Sequence, residues 1–188
     1  MLLLDGTLGQ MMEPVDFDLL PTAKPAEKPW ATNGHKNARE HNIVNSLYLK
    51  PDELEKSVAD RFARYETIKE NETDAELYLT EDCDILLCAF GATARVVKSA
   101  VNEARAMGIK AGLFRPKTLW PFPVKELNEA AKSAKKLLSV EMSMGQMIDD
   151  IKLAINCSKP VEFYGRTGGV IPNPAEILAE IKKVGGAE

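Results

Sequence analysis

From about residue 76 to its end the chain alternates between short apolar runs and apolar residues at helical spacing. That alternation constrains the fold more tightly than any other feature. Asp84 to Gly91 (DILLCAFG) is a continuous apolar run, as expected of a strand covered on both faces. Thr93 then has the chemistry of a helix cap, and Val96, Val97, Ala100, Val101, Ala104 and Met107 fall on one stripe of a helix that Gly108 would end. Ile109 to Pro116 reads as the next strand, and Val124 to Ala134 as a helix with Pro123 near its first turn. Lys136 to Met142, Gln146 to Asn156 and Pro160 to Gly165 repeat the cycle of strand, helix and strand. The last helix is the best marked: Asn173 as cap, Pro174 at the first position and Glu176 placed to close a capping box, with Ile177, Leu178 and Ile181 facing inward. Short connections between such elements require parallel strands covered by helices on both faces. The expected architecture is therefore α/β, a three-layer αβα domain with a mostly parallel sheet of about five strands over residues 76–188. Glu76 to Leu79 (ELYL) is a candidate edge strand, parallel or antiparallel.

The chain ahead of this domain is different in kind. Residues 1–14 read as one strand and a turn. A fold that opens on a strand suggests a chain cut from a longer one, the alternative being a natural first strand. In residues 15–75, Pro21, Pro25 and Pro29 punctuate a stretch of little periodicity, and WATNGHKNAREHN (Trp30 to Asn42) is polar and rich in turn formers. This is a linker arm, with Trp30 as its one large anchor on a neighbouring surface. Pro51-Asp52-Glu53 then starts a helix, and Leu54, Val58, Phe62, Tyr65 and Ile68 give it one apolar face.

Several functions are excluded or disfavoured at once. A net charge of −4 argues against a nucleic-acid partner. No apolar run is long enough to span a bilayer, and Met1-Leu2-Leu3-Leu4 lacks the basic start of a signal peptide. Cys83, Cys88 and Cys157 match no cluster or disulfide spacing and read as small buried hydrophobes of a cytoplasmic protein. Two histidines, His35 and His41, make no metal site.

Ligands of open α/β sheets bind beyond the carboxyl ends of the strands, and four features fall there. Gly91 and Thr93 lie in a turn that could offer backbone N–H groups to an anion, though one glycine is no dinucleotide fingerprint and an ordinary capped turn is the plainer reading. Arg115 to Pro123 (RPKTLWPFP) is a stiff loop whose Trp120 and Phe122 serve either an interface or a plug over the core. Leu137 to Ile151 (LLSVEMSMGQMIDDI) passes from strand through Glu141 to a sharp turn at Gly145 and Gln146. A carboxylate beside a helix N-terminus is held as the anion, so Glu141 is a poor general acid unless buried. A similar Asp5…Gly9-Gln10-Met11 sequence stands at the start of the chain. Phe163 to Gly169 (FYGRTGG) carries Arg166, suited to a carboxylate or phosphate or to tying down the loop, among Gly165, Gly168 and Gly169. No nucleophile is paired with a base, and no phosphate loop or metal spacing is present.

The runs DGTLGQMMEPV, FGATARVVKSAV, LFRPKTLWPFP, VEMSMGQMIDDI and EFYGRTGGVIP, in that order across almost the whole chain, resemble the C-terminal part of the α subunit of 2-oxoacid:ferredoxin oxidoreductases, nearest the 2-oxoisovalerate and 2-oxoglutarate types. The resemblance implies a domain like the C-terminal domain of transketolase at 76–188, a linker arm and helix at 15–75, and at 1–14 the tail of a thiamine-pyrimidine-binding domain. It implies an enzyme complex that oxidatively decarboxylates a 2-oxoacid to its acyl-coenzyme A with thiamine diphosphate and magnesium, passing electrons through iron–sulfur clusters to ferredoxin. The family's substrate loop and pyrimidine-activating glutamate are missing from this chain, and Leu4-Asp5-Gly6 lacks the later asparagine of a diphosphate–magnesium motif. The implied role is thus a fragment inactive alone that binds no cofactor, packs against the β, γ and δ subunits and shapes the active site. The alternative is a stand-alone anion- or nucleotide-binding module. On the first reading Gly91, Thr93, Arg115, Trp120, Glu141, Gly145, Gln146, Arg166 and Gly168 are candidates for a strand-end rim or interface. Replacing Glu141 and Gln146 by alanine should then weaken assembly more than it lowers the fragment's own stability.

Overall fold

The structure is a computed structural model of the 188-residue chain, in which residues 6–19, 24 and 26–186 are described. The strand expected near Leu2–Leu4 lies outside the described residues. Internal contacts divide the chain into two units, Met12–Tyr65 and the remainder, Met1–Met11 with Glu66–Glu188. These boundaries differ from the sequence expectation of 14 and 75.

The larger unit carries one five-stranded sheet. Its strands are β1 (Ala75–Tyr78), β2 (Ile85–Cys88), β3 (Ala111–Pro116), β4 (Lys136–Glu141) and β5 (Val161–Gly165), in the order β1-β3-β2-β4-β5. All neighbours pair in parallel except β1, the expected edge strand, which pairs antiparallel with β3 and sets Glu76 opposite Arg115. The helices are α1 (Pro51–Asn71), α2 (Gly91–Ala106), α3 (Val124–Ala130), α4 (Met147–Ala154) and α5 (Pro174–Gly185).

The central strand β2 explains the two-faced core. Successive side chains of a strand point to opposite faces. Ile85 and Leu87 accordingly join Val97, Val101, Ile177 and Ile181 of α2 and α5 on one face. Leu86 and Cys88 join Leu127, Met147 and Ile151 of α3 and α4 on the other. Each side chain of this size buried contributes about 1.5–3 kcal/mol, so β2 must be apolar throughout and cannot show the alternation of a half-exposed strand. The capping box of α5 is formed as expected: Glu176 N–H donates to Asn173 Oδ1 at 3.0 Å, and Asn173 N–H donates to Glu176 Oε2 at 3.3 Å.

Some local expectations fail for physical reasons. Thr93 does not cap α2: the helix begins at Gly91 with Phe90 as N-cap, and Thr93 is buried within its first turn. Met107 leaves the buried stripe, because α2 ends at Ala106 before Gly108 takes a φ of +82°. Helix α3 stops at Ala130, well short of Ala134. Cys83 and Cys88 are buried, whereas Cys157 is exposed in the turn after α4. The burial of Cys88 holds its thiol far above the ordinary range, which makes it inert.

Within Met12–Tyr65, the turn-rich stretch is fastened by side chains rather than by a core. Arg39 donates to Ala31 O at 3.1 Å and to Asn33 Oδ1 at 2.8 Å, and Asn42 donates to Ala31 O at 3.0 Å. Trp30, the expected anchor, is 63% exposed. No residue of α1 is buried, and its apolar face at Leu54, Val58 and Phe62 stays open.

Candidate functional site: a crevice at the strand ends

The strand order fixes where a ligand or partner can enter. From β2 the chain moves to β3 on one side, then crosses back over β2 to β4 on the other. The connections after β2 and β4 therefore diverge, and a cleft is left between their carboxyl ends. A crevice of about 400 Å³ occupies this place. Phe90, Gly91 and Thr93 line it from the start of α2, Leu119 from the loop after β3, and Met142, Gln146 and Asp150 from β4–α4.

One wall is a knot tied by Glu141. Its carboxylate is buried, at 3% exposure, and accepts five hydrogen bonds. Oε1 receives Ser139 Oγ and Ile148 N–H, each at 2.9 Å. Oε2 receives Ser143 Oγ and Gln146 N–H at 2.9 Å and Met147 N–H at 3.0 Å. The first N–H groups of a helix have no partner within it. Here the acid at the end of the strand supplies one for α4, whose N-cap Gln146 makes no side-chain cap. Burial pushes this carboxyl up, but the Gln146 and Met147 N–H groups and the two serine hydroxyls pull harder and hold it below the usual glutamate range. The main chain of Glu141 is used as well, its carbonyl accepting from Arg166 N–H at 3.0 Å.

Two glycines allow the knot to close. Gly145 has a φ of +105°, which a side chain rarely adopts, and an added Cβ would press on Ile148 Cγ2 at 3.3 Å. At Gly165 an added Cβ would collide with Ser143 O and the Phe163 ring. β5 can therefore lie close to the β4–α4 turn only because Gly165 has no side chain.

The expected site residues separate into two groups. Gly91, Thr93, Glu141 and Gln146 line the crevice. Gly145 supports it from behind, and the carboxylate of Glu141 turns inward to the knot instead of outward to the rim. Arg115 is drawn away across the sheet to Glu76 Oε2, at 3.0 Å, as the β1–β3 register dictates. Arg166 lies 3.8 Å from Glu176, the plain reading of a loop arginine beside a neighbouring acid. Gly168, at a φ of +66°, turns the loop that follows. The aromatic pair of the β3–α3 loop divides: Phe122 packs on the core while Trp120 is 56% exposed. Sequence reasoning missed Leu119 and Asp150. Leu119 had no local signal, while Asp150 stands one helical turn after Gln146, a spacing that would have placed both on one side of α4.

The order of strands, the covering helices and the cleft at the switch between β2 and β4 define an open α/β domain. Residues 83–177 match the family described as pyruvate:ferredoxin oxidoreductase core domain II, and the chain belongs to that family. It is 42% identical over 185 residues to the ketoisovalerate oxidoreductase subunit VorB of Methanothermobacter marburgensis, covering 98% of this chain and 52% of that protein. It is 37% identical over 130 residues to the 2-oxoglutarate synthase subunit KorA of the same organism, covering 69% of this chain and 34% of that protein. The chain thus spans about half the length of VorB and a third of KorA. Its fold matches part of the 2-oxoglutarate:ferredoxin oxidoreductase of Magnetococcus marinus, with a TM-score of 0.61 at 24% identity, over 77% of this chain and 25% of that one. The family reading set out from the sequence is borne out, and it displaces the stand-alone anion-binding module.

Proposed function

We propose that this chain is part of the α subunit of a thiamine-diphosphate-dependent 2-oxoacid:ferredoxin oxidoreductase, and that its α/β domain packs against the other subunits and shapes the approach to their active site. The observation that carries this reading is the strand-end crevice, a cleft with largely apolar walls in which the Glu141 carboxylate is tied up in the β4–α4 turn. Around it Phe90, Leu119, Trp120, Met144, Val170 and Ile171 expose apolar surface at 37–82%. Exposed apolar residues gathered on one side of a domain suit a partner surface.

Residues 1–14 are read as the tail of a pyrimidine-binding domain and 15–75 as the arm that joins it to the α/β domain. The substrate class is a branched or dicarboxylic 2-oxoacid, in line with the names of the relatives. The partners are the β, γ and δ subunits, with ferredoxin reached through the complex, in the cytoplasm. No helix among the described residues is long and apolar enough to cross a membrane.

The cofactors of such a complex are read as held by its other parts. Among the described residues no three His, Cys, Asp or Glu side chains converge as a metal site, and the three cysteines are divided between the buried core and the surface. On this reading thiamine diphosphate, magnesium and the iron–sulfur clusters belong to the rest of the complex, with coenzyme A as its co-substrate.

The test is reconstitution. Supplied with a 2-oxoacid, thiamine diphosphate, magnesium, coenzyme A and ferredoxin, this chain alone should give no turnover. It should co-elute with partner subunits produced alongside it. Turnover by the chain alone, or failure to associate with any partner subunit, would sink the reading.

A further inference from the structure

The crevice carries a carboxylate that has no partner among the described residues. The carboxylate of Asp150, on the α4 wall, makes no hydrogen bond or ion pair in the described structure. Five donors near it are already committed to Glu141. Asp150 is exposed to solvent; partial burial, with the neighbouring charges of Asp149 and Glu141, pushes its carboxyl up, and the fold supplies it with no donor or cation. The surfaces around it are apolar, with Phe90 and Leu119 exposed at 37% and 42% and Met142 half-buried.

We propose, on the basis of the subunit reading, that the crevice receives an arginine side chain from a neighbouring subunit, its aliphatic stem against Phe90, Leu119 and Met142 and its guanidinium on Asp150. An apolar cleft bearing one free carboxylate matches a side chain that is apolar along its stem and cationic at its tip. Arginine is also the charged residue most enriched among interface anchors. The competing occupant is an anion at the α2 N-terminus. A helix end is worth roughly half a positive charge, whereas an ionised Asp150 presents a full negative one, with Glu141 behind it. The balance of charge in the crevice therefore favours a cation.

The experiment is an NMR titration of this chain with three probes: N-acetyl-arginine methylamide, its uncharged citrulline analogue and inorganic phosphate. The arginine probe should shift the amide signals of Phe90 to Thr93 and the Met142 and Met147 methyls saturably. The citrulline probe should bind about fivefold more weakly or worse, in line with the loss of one exposed charge pair. Asp150→Asn should bring the two probes level. Because the Asp150 side chain makes no hydrogen bond or ion pair among the described residues, this variant should keep the wild-type spectrum elsewhere. Equal binding of the two probes, arginine binding unchanged in Asp150→Asn, no saturable shift, or tighter phosphate binding at the same signals would each overturn the proposal. The titration uses no other subunit, so its failure leaves the subunit reading standing. A failure of co-elution would remove the subunit reading without altering the titration.

Discussion

Gly-Gln-Met occurs twice in this chain, four residues after an acid each time, and the two copies do different things. Gly145-Gln146-Met147 opens α4, its N–H groups drawn onto the buried carboxylate of Glu141. Gly9-Gln10-Met11 only closes a single 3₁₀ turn, Leu8–Gln10, in which no residue is buried and Thr7 makes no side-chain cap. Gly145 needs a φ of +105°, and Gly9 takes no positive φ. The difference lies in what surrounds the tripeptide. At Glu141 the sheet, α4 and β5 exclude water, so one carboxylate must satisfy five donors and becomes the fixed point of the turn. Without that enclosure the same three residues are a surface bend.

The largest expected effect that separates the two copies is at the acid. Glu141→Ala removes a buried acceptor and strands several donors, which should cost about 3 kcal/mol. For a chain of this size that is about 6–12 °C in Tm, and Gln10→Ala should leave Tm unchanged. A cost of this size sets a high mark for the sequence expectation that replacing Glu141 and Gln146 together weakens assembly more than stability. A Glu141→Ala variant with wild-type Tm would show that the five hydrogen bonds do not hold the turn.

The next effect is backbone strain. Gly145→Ala should cost about 1–3 kcal/mol in urea unfolding, while Gly9→Ala, with nothing within 4 Å of its added Cβ, should stay within about 0.5 kcal/mol of wild type. Equal costs would mean that the two turns are alike after all.

The smallest effect is a dependence on pH. The folded carboxyl of Glu141 titrates below its unfolded value, so its stabilisation is complete above the unfolded pKa, about 4.3. It is lost as pH falls through the lower folded value. The difference in unfolding midpoint between wild type and Glu141→Gln should therefore be widest near neutrality and narrow as the solution is acidified below about pH 4. A difference that stays constant or widens in acid would show that the carboxylate is not the group responsible.

The α/β layout could be read from sequence because hydrophobic period is a local property: β2 shows its double burial and α5 its capping box in adjacent residues. The side-chain partners could not be read. Arg115 meets Glu76 only through strand register, 39 positions apart in sequence, and Gly165 is required only because Ser143 comes to lie against it. Thr93 illustrates a misleading local signal. A threonine before an apolar stripe suggests a cap, but the turn from β2 brought the cap three residues earlier, to Phe90, and placed Thr93 inside the helix. Asp150 was passed over because it is an exposed helix-surface acid, and only the fold shows that it also borders a crevice.

The central position of β2 also governs how this unit comes apart. One strand of four residues lends alternate side chains to both cores, so neither helix layer can leave without exposing the strand that the other layer covers. The sheet and its two layers should therefore melt in a single cooperative step. A truncation at Leu87 on the α2–α5 side should lower the hydrogen-exchange protection of α4 on the opposite side as much as that of α2.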